Sequence, residues 1–124
     1  MGRIISNDLV INACMYENND SITRAEIRRA TYVGEAAFKD CVQLECVVFG
    51  RNIEKICFGA FDGCESLKDV WLNVIDENKI ISIDEGAFRN CKPDITFHIN
   101  ASAINNVSLN QYAKTHGFRV EKRA

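Results

Sequence analysis

Apolar and polar positions alternate over short stretches of this chain. Leu44, Val47 and Phe49 form one L-x-x-V-x-apolar phrase, and Leu67, Val70 and Leu72 form another. Ile22, Ala25 and Ile27 read as a weaker copy, and Phe97 with Ile99 as a late one. A period of two predicts β-strands with these residues on the core side and their neighbours on the other face. Ahead of the strands stand Ala-Phe pairs, Ala37-Phe38, Ala60-Phe61 and Ala87-Phe88, with Cys41, Cys64 and Cys91 each three residues after the Phe. The segments around them, 35–40, 59–63 and 85–90, predict short helical turns whose Ala-Phe pair points inward. Ile56 and Ile83 end a second short extended piece in each unit.

Self-similarity at a period of about 23 residues predicts a solenoid, because each unit is too small to bury its own apolar face and must stack on the next. The expected architecture is a β-rich α/β repeat: a short right-handed coil with a parallel β-sheet, short helical turns and a C-terminal capping helix. One domain is expected over 1–124, with repeats at about 11–32, 33–55, 56–82 and 83–100 and a cap at 101–124. The first copy is degenerate, placing Met15-Tyr16 on Ala37-Phe38, Asn19 on Cys41 and Ile22 on Leu44. Extra residues in 73–79, with a polar DENK run, predict a loop bulging from one turn of the coil. The fourth copy breaks at Asp94, which stands where Leu44 and Leu67 stood, beside the only proline, Pro93.

Residues 3–5 predict a strand over the open end. In the tail, Ser108 with Gln111 three later is a capping-box pattern. Leu109, Tyr112, Ala113 and His116 fall on one helical face, Gly117 suits the stop position, and 118–120 reads as a last edge strand. The helix is expected to cover the open end of the sheet and to blunt edge pairing there.

Composition narrows the function classes. The formal charge is −2, which argues against an electrostatic grip on nucleic acid or a polybasic membrane patch. Arg24, Arg28 and Arg29 cluster around Glu26 and read as a solvated face. The first residues contain no signal-peptide pattern and no membrane span. Met1-Gly2 with Ser6 matches the loose M-G-x-x-x-S/T acylation pattern. The Asn-x-Ser triplets at Asn100 and Asn106 read as chance. Six cysteines (Cys14, Cys41, Cys46, Cys57, Cys64, Cys91) form no C-x-x-C, and the two histidines are too far apart to complete a metal site. The repeat itself accounts for three of them, so buried free thiols are expected rather than a metal site or disulfides.

The recurring phrase, in VGEAAFKDCVQLECVVF, ICFGAFDGCESLKDVWL and IDEGAFRNC, resembles the BspA-like leucine-rich repeat family of bacteria and some protists. The closing SLNQYAKTHGFRV is similar to that family's C-terminal cap. The likeness runs from about 11 to 120. It implies a leucine-rich-repeat solenoid and partners among host, matrix or other bacterial proteins. Many members are surface proteins; without a leader the expected place of this chain is the cytoplasm, or the cell surface if it is part of a secreted protein.

No phosphate-binding loop, G-x-S-x-G or H-E-x-x-H pattern is present, and no pair of carboxylates is marked out for acid-base work. The expectation is a chain that is not an enzyme and uses no cofactor and no metal. Laying the strands in register gives two outward rows: Arg24, Cys46, Asp69, Thr96, and Glu26, Val48, Trp71, His98. The single tryptophan thus falls between Val48 and His98, and tryptophan is enriched in binding hot spots. The other reading of Trp71 is core, covered by the C-terminal part or by the 73–79 loop. Cys46 is a candidate reactive thiol, and His98 a plain surface or packed histidine. The leading expectation is a non-catalytic protein-interaction module with Trp71, Val48 and His98 at the centre of the face and Arg24, Glu26 and Asp69 on its rim. The partner is a protein, with no nucleic acid and no membrane insertion, and self-association through the same face is open. The alternative is a structural or capping fragment of a larger surface array, which exposed apolar residues along 3–9 would favour. A third reading, a thiol or metal enzyme, would need bound zinc or one fast-titrating cysteine.

Overall fold

A computed structural model describes residues 2–92 and 94–123. Met1 and Pro93, on which the acylation pattern and part of the repeat break fall, lie outside the described residues.

Strands occur where the alternation predicts them. β1 (Arg3–Ser6), β3 (Arg24–Ile27), β5 (Cys46–Phe49), β7 (Asp69–Leu72), β9 (Thr96–Asn100) and β10 (Arg119–Arg123) form a six-stranded sheet in the order β1-β3-β5-β7-β9-β10. Every neighbouring pair is parallel. β2 (Val10–Ile11), β4 (Tyr32–Val33), β6 (Lys55–Ile56) and β8 (Ser82–Ile83) form a second parallel sheet. The chain visits one strand of each sheet per turn of the coil, so parallel pairing follows from the winding.

The third side of the coil is a column of turns. Within each turn, N–H groups alternate between bonds inside the turn and bonds to the next coil. Phe38 N–H donates to Ala60 O (2.7 Å) and Phe61 N–H to Ala87 O (2.8 Å), whereas Ala37 N–H donates back to Gly34 O. That alternation flips successive peptides and requires left-handed backbone on either side of the inward Phe. Ala36 and Asp40 have φ of 56° and 59°, and Gly59 and Gly63 have 68° and 77°. At Gly63 a Cβ would also meet the Asp40 carboxylate. Glycine takes this backbone without strain, whereas Asp40 and Asn90 hold it with a side chain in the neighbouring coils.

The core is continuous, and Leu44, Val47, Phe49, Leu67, Val70, Leu72, Phe97 and Ile99 are completely buried. The inward rings stack along the coil axis: Tyr16 on Phe38, Phe38 on Phe61 and Phe61 on Phe88, at 5.1, 5.1 and 5.2 Å. Tyr16 therefore takes the Phe place in the degenerate first coil. The repeated cysteines donate to carbonyls of the preceding coil, Cys41 to Tyr16 O, Cys64 to Phe38 O and Cys91 to Phe61 O, at 3.2, 3.1 and 3.1 Å. A thiol here fills apolar space and supplies one weak donor. In the last coil Asp94 is exposed and Ile95 is buried beside it.

The cap departs from expectation in two ways. α1 (Val107–His116) starts at Asn106, not at a Ser108–Gln111 capping box. The Asn106 side chain accepts from Leu109 N–H and donates to Lys79 O (3.1 and 2.7 Å). Ser108 instead accepts Ile81 N–H (3.0 Å) and donates to Asn106 Oδ1 (2.7 Å). The helix also does not close the large sheet. Tyr112 Oη donates to Asp84 O (3.0 Å), and His116 Nε2 lies 3.1 Å from Glu85 O, so α1 covers the coil beside β8. The large sheet is instead extended by β10, whose Arg119, Glu121, Lys122 and Arg123 put charges on the outer edge, a device that discourages further pairing.

Candidate functional site

The outward face of the large sheet carries the two predicted rows in the predicted register. Arg24 pairs with Cys46, Cys46 with Asp69 and Asp69 with Thr96; Glu26 pairs with Val48, Val48 with Trp71 and Trp71 with His98. The flanking strands lengthen both rows, with Arg3 and Ile5 at one end and Arg119 and Glu121 at the other. A further outward row follows the strand ends and includes Asn100 with Arg123.

Trp71 is half-buried on this face, neither core nor fully exposed. Its indole stacks on the His98 ring with centroids 3.9 Å apart and planes 11° from parallel. The Arg123 guanidinium stands 5.1 Å from the indole centroid and donates to Asn73 Oδ1 (2.6 Å). The C-terminal strand thus covers part of Trp71 with one arginine, and leaves the indole at the sheet surface. A shallow hollow of about 270 Å³ lies there, lined by Arg24, Val48, Trp71, Asn73 and Arg123.

Charge is arranged on both sides of this apolar spot. Glu26 takes three guanidinium groups, from Arg3 at 2.6 Å and from Arg24 and Arg28 at 3.1 Å each. Hydrogen bonding from Arg24, reinforced by Arg28 and Arg3, holds the Glu26 carboxyl below its ordinary pKa. On the other side, His98 Nε2 lies 2.7 Å from Asp69 Oδ1 and its Nδ1 lies 3.7 Å from Glu121 Oε1. His98 is therefore a packed, carboxylate-held ring rather than an open ligand. Cys46 receives Arg24 Nη1 at 3.2 Å, yet burial pushes its thiol up against the opposing pull of Arg24. A raised thiol is a poor nucleophile at neutral pH.

The sequence places all six expected residues, Trp71, Val48, His98, Arg24, Glu26 and Asp69, on one face, and the fold brings them together. It misses Arg3, Arg28, Asn73, Glu121 and Arg123. The readable signal was the alternation Arg119-x-Glu121-x-Arg123, which puts three charges on the same side of β10. Among the described residues no group of three or more His, Cys, Asp or Glu side chains has metal-binding geometry, and no described helix is long and apolar enough to cross a membrane.

A ladder of parallel strands, a turn column and a helical cap define a leucine-rich repeat solenoid. The chain belongs to the BspA type leucine-rich repeat family, whose profile of six repeat copies matches residues 9–116. No curated protein matches the sequence. Among solved structures, the pneumococcal vaccine antigen PcpA is similar with a TM-score of 0.70 and 11% identity, over 93% of this chain and 28% of that one. A leucine-rich cell surface protein of Faecalibacterium prausnitzii A2-165 is similar with a TM-score of 0.69 and 18% identity, over 100% of this chain and 32% of that one. At these identities the likeness is one of fold, and this chain spans less than a third of either protein's length.

Proposed function

We propose that this chain is a non-catalytic protein-interaction module that binds through the outward face of its large sheet, centred on Val48, Trp71 and His98 with Arg24, Glu26 and Asp69 around them. The observation that carries this reading is the half-open indole of Trp71, held rigid by His98 and Arg123 beside a hollow. A pre-ordered aromatic loses little freedom on binding, and burying it under a partner contributes most where charged groups ring the contact. The family and the two similar structures support a recognition or surface role at the coarse level, and the surface alternative for its location.

The test is selection of binders from a random-peptide display library on the wild-type protein, followed by binding to Trp71→Asp with its fold checked by circular dichroism. Binders that lose Trp71→Asp support the face. Binders that keep full affinity for it, and for Arg123→Glu as a second folded variant, place the working surface elsewhere.

A second reading has its own support. Leu9, Val10 and Met15 are 58%, 41% and 42% exposed at the first coil. These are the residues on which another coil or a structural neighbour would stack. In that reading the chain works as part of an array, and masking this end with Leu9→Lys and Val10→Lys abolishes assembly without touching the sheet face.

A further inference from the structure

We infer that the segment bound across the large sheet is an acidic stretch of polypeptide that inserts one apolar side chain into the hollow between Arg24 and Arg123. The inference rests on the reading of this face as a binding surface and adds the chemistry of what it takes.

The charge balance of the face runs opposite to that of the chain. The chain as a whole is −2. Its outward sheet positions, with Arg28 just past the end of β3, hold Arg3, Arg24, Arg28, Arg119 and Arg123 against Glu26, Asp69 and Glu121. Five guanidinium groups thus stand against three carboxylates, of which Glu26 is already engaged. Glu26 has two oxygens for three guanidinium groups, and a guanidinium carries five N–H donors, so most donors of Arg3, Arg24 and Arg28 have no partner within the cluster. Their side chains remain 54%, 45% and 51% exposed. Asp69 and Glu121 lie beside the His98 ring at one end of the face and stay 44% and 60% exposed, leaving the guanidinium surplus at Arg3, Arg24 and Arg28 and at Arg123. Arg123 is held by a neutral amide and by the indole face.

Surplus guanidinium groups therefore flank Val48 and Trp71 from both sides, and the hollow between them is lined by Arg24, Val48, Trp71, Asn73 and Arg123. Carboxylates of a partner strand suit the free forks, which bind planar anions in pairs, while an apolar side chain suits the Val48–Trp71 floor. A phosphate backbone suits the face less well, because Asp69 and Glu121 interrupt the positive surface where a continuous charged track is needed.

The test uses the emission of Trp71, the one tryptophan of the chain. The probes are a nonapeptide of alternating Glu and Ser around a central Phe, the same peptide with Lys for every Glu, and oligothymidylate. A saturable change is expected with the acidic peptide alone, weakening about tenfold as salt is raised well above physiological strength. Arg24→Ala and Arg123→Ala are each expected to weaken it about fivefold or more, while Arg89→Ala, on the turn column, leaves it unchanged. No response to the acidic peptide, an equal response to the lysine peptide or to oligothymidylate, or full affinity in both arginine variants overturns the inference. If library binders still depend on Trp71 in that event, the face remains a binding surface for a partner of other chemistry. If they do not, the functional reading falls with it.

Discussion

The indole of Trp71 and the imidazole of His98, register neighbours on β7 and β9, lie face to face at 3.9 Å. Removing the imidazole uncovers one side of the indole. His98→Ala is expected to move Trp71 emission to longer wavelength and to raise its quenching by acrylamide, at a stability cost of about 0.5–1.5 kcal/mol. Unchanged quenching would mean that the rings do not stack in solution.

Phe61 occupies the middle of the ring column, between Phe38 and Phe88 and edge-on to Phe49. It is completely buried, and neighbours on both sides keep the site from collapsing. Phe61→Ala is expected to cost about 3–5 kcal/mol, and Tyr16→Leu at the half-buried end of the column much less. Urea denaturation measures both.

Asn106 is completely buried and serves α1 and the 73–79 loop together. Its side chain accepts Leu109 N–H and Ser108 Oγ–H and donates to Lys79 O. An ordinary cap deletion costs about 1 kcal/mol, and leaving a buried carbonyl without its donor adds to this. Asn106→Ala is expected to cost about 2–3 kcal/mol, with amide exchange accelerated in α1 and in 73–81 before the rest of the coil. The same burial keeps the Asn106 triplet from being a modification site in the folded chain.

Burial pushes the Cys41 thiol up to about 11 and the Cys91 thiol up to about 12, and raises Cys64 as well. The folded state therefore keeps these protons where the unfolded chain, with thiols near 9.0, has lost them. Stability from this source is complete below that value and lost as pH rises through the folded values. Denaturation midpoints are expected to fall above about pH 9, by at most about 1.4 kcal/mol per pH unit for each thiol. A Cys41→Ala, Cys64→Ala, Cys91→Ala variant should lose most of that slope, and an unchanged slope would show that the thiols are not what the fold keeps protonated.

The coil was legible because its rule is local and repeated. Ala37-Phe38, Cys41, Leu44, Val47 and Phe49 state it once, and the later copies restate it in register. The two outward rows followed from the same alternation. What escaped the sequence depends on how distant segments meet. Asn106 outcompetes Ser108 as the cap because the Lys79 carbonyl is within its reach, and that proximity is invisible in a helix pattern. Arg123 reaches Asn73 and the Trp71 ring only because β10 passes α1 and joins β9 in parallel. A tail strand carries no repeat to announce its register. The turn segments have helix-like composition, but stacking claims every second N–H for the next coil and prevents a helix from forming.

The proposed function has partners docking on the sheet face around Trp71. Its most direct test is a map of ¹⁵N–¹H shift changes when a library-selected binder is added, with the Trp71 indole N–H as the single resonance of its kind. Changes are expected to concentrate at Trp71, Val48, His98, Arg24 and Arg123. Changes confined to α1, the 73–79 loop or the exposed first coil, with the indole resonance unmoved, would contradict it.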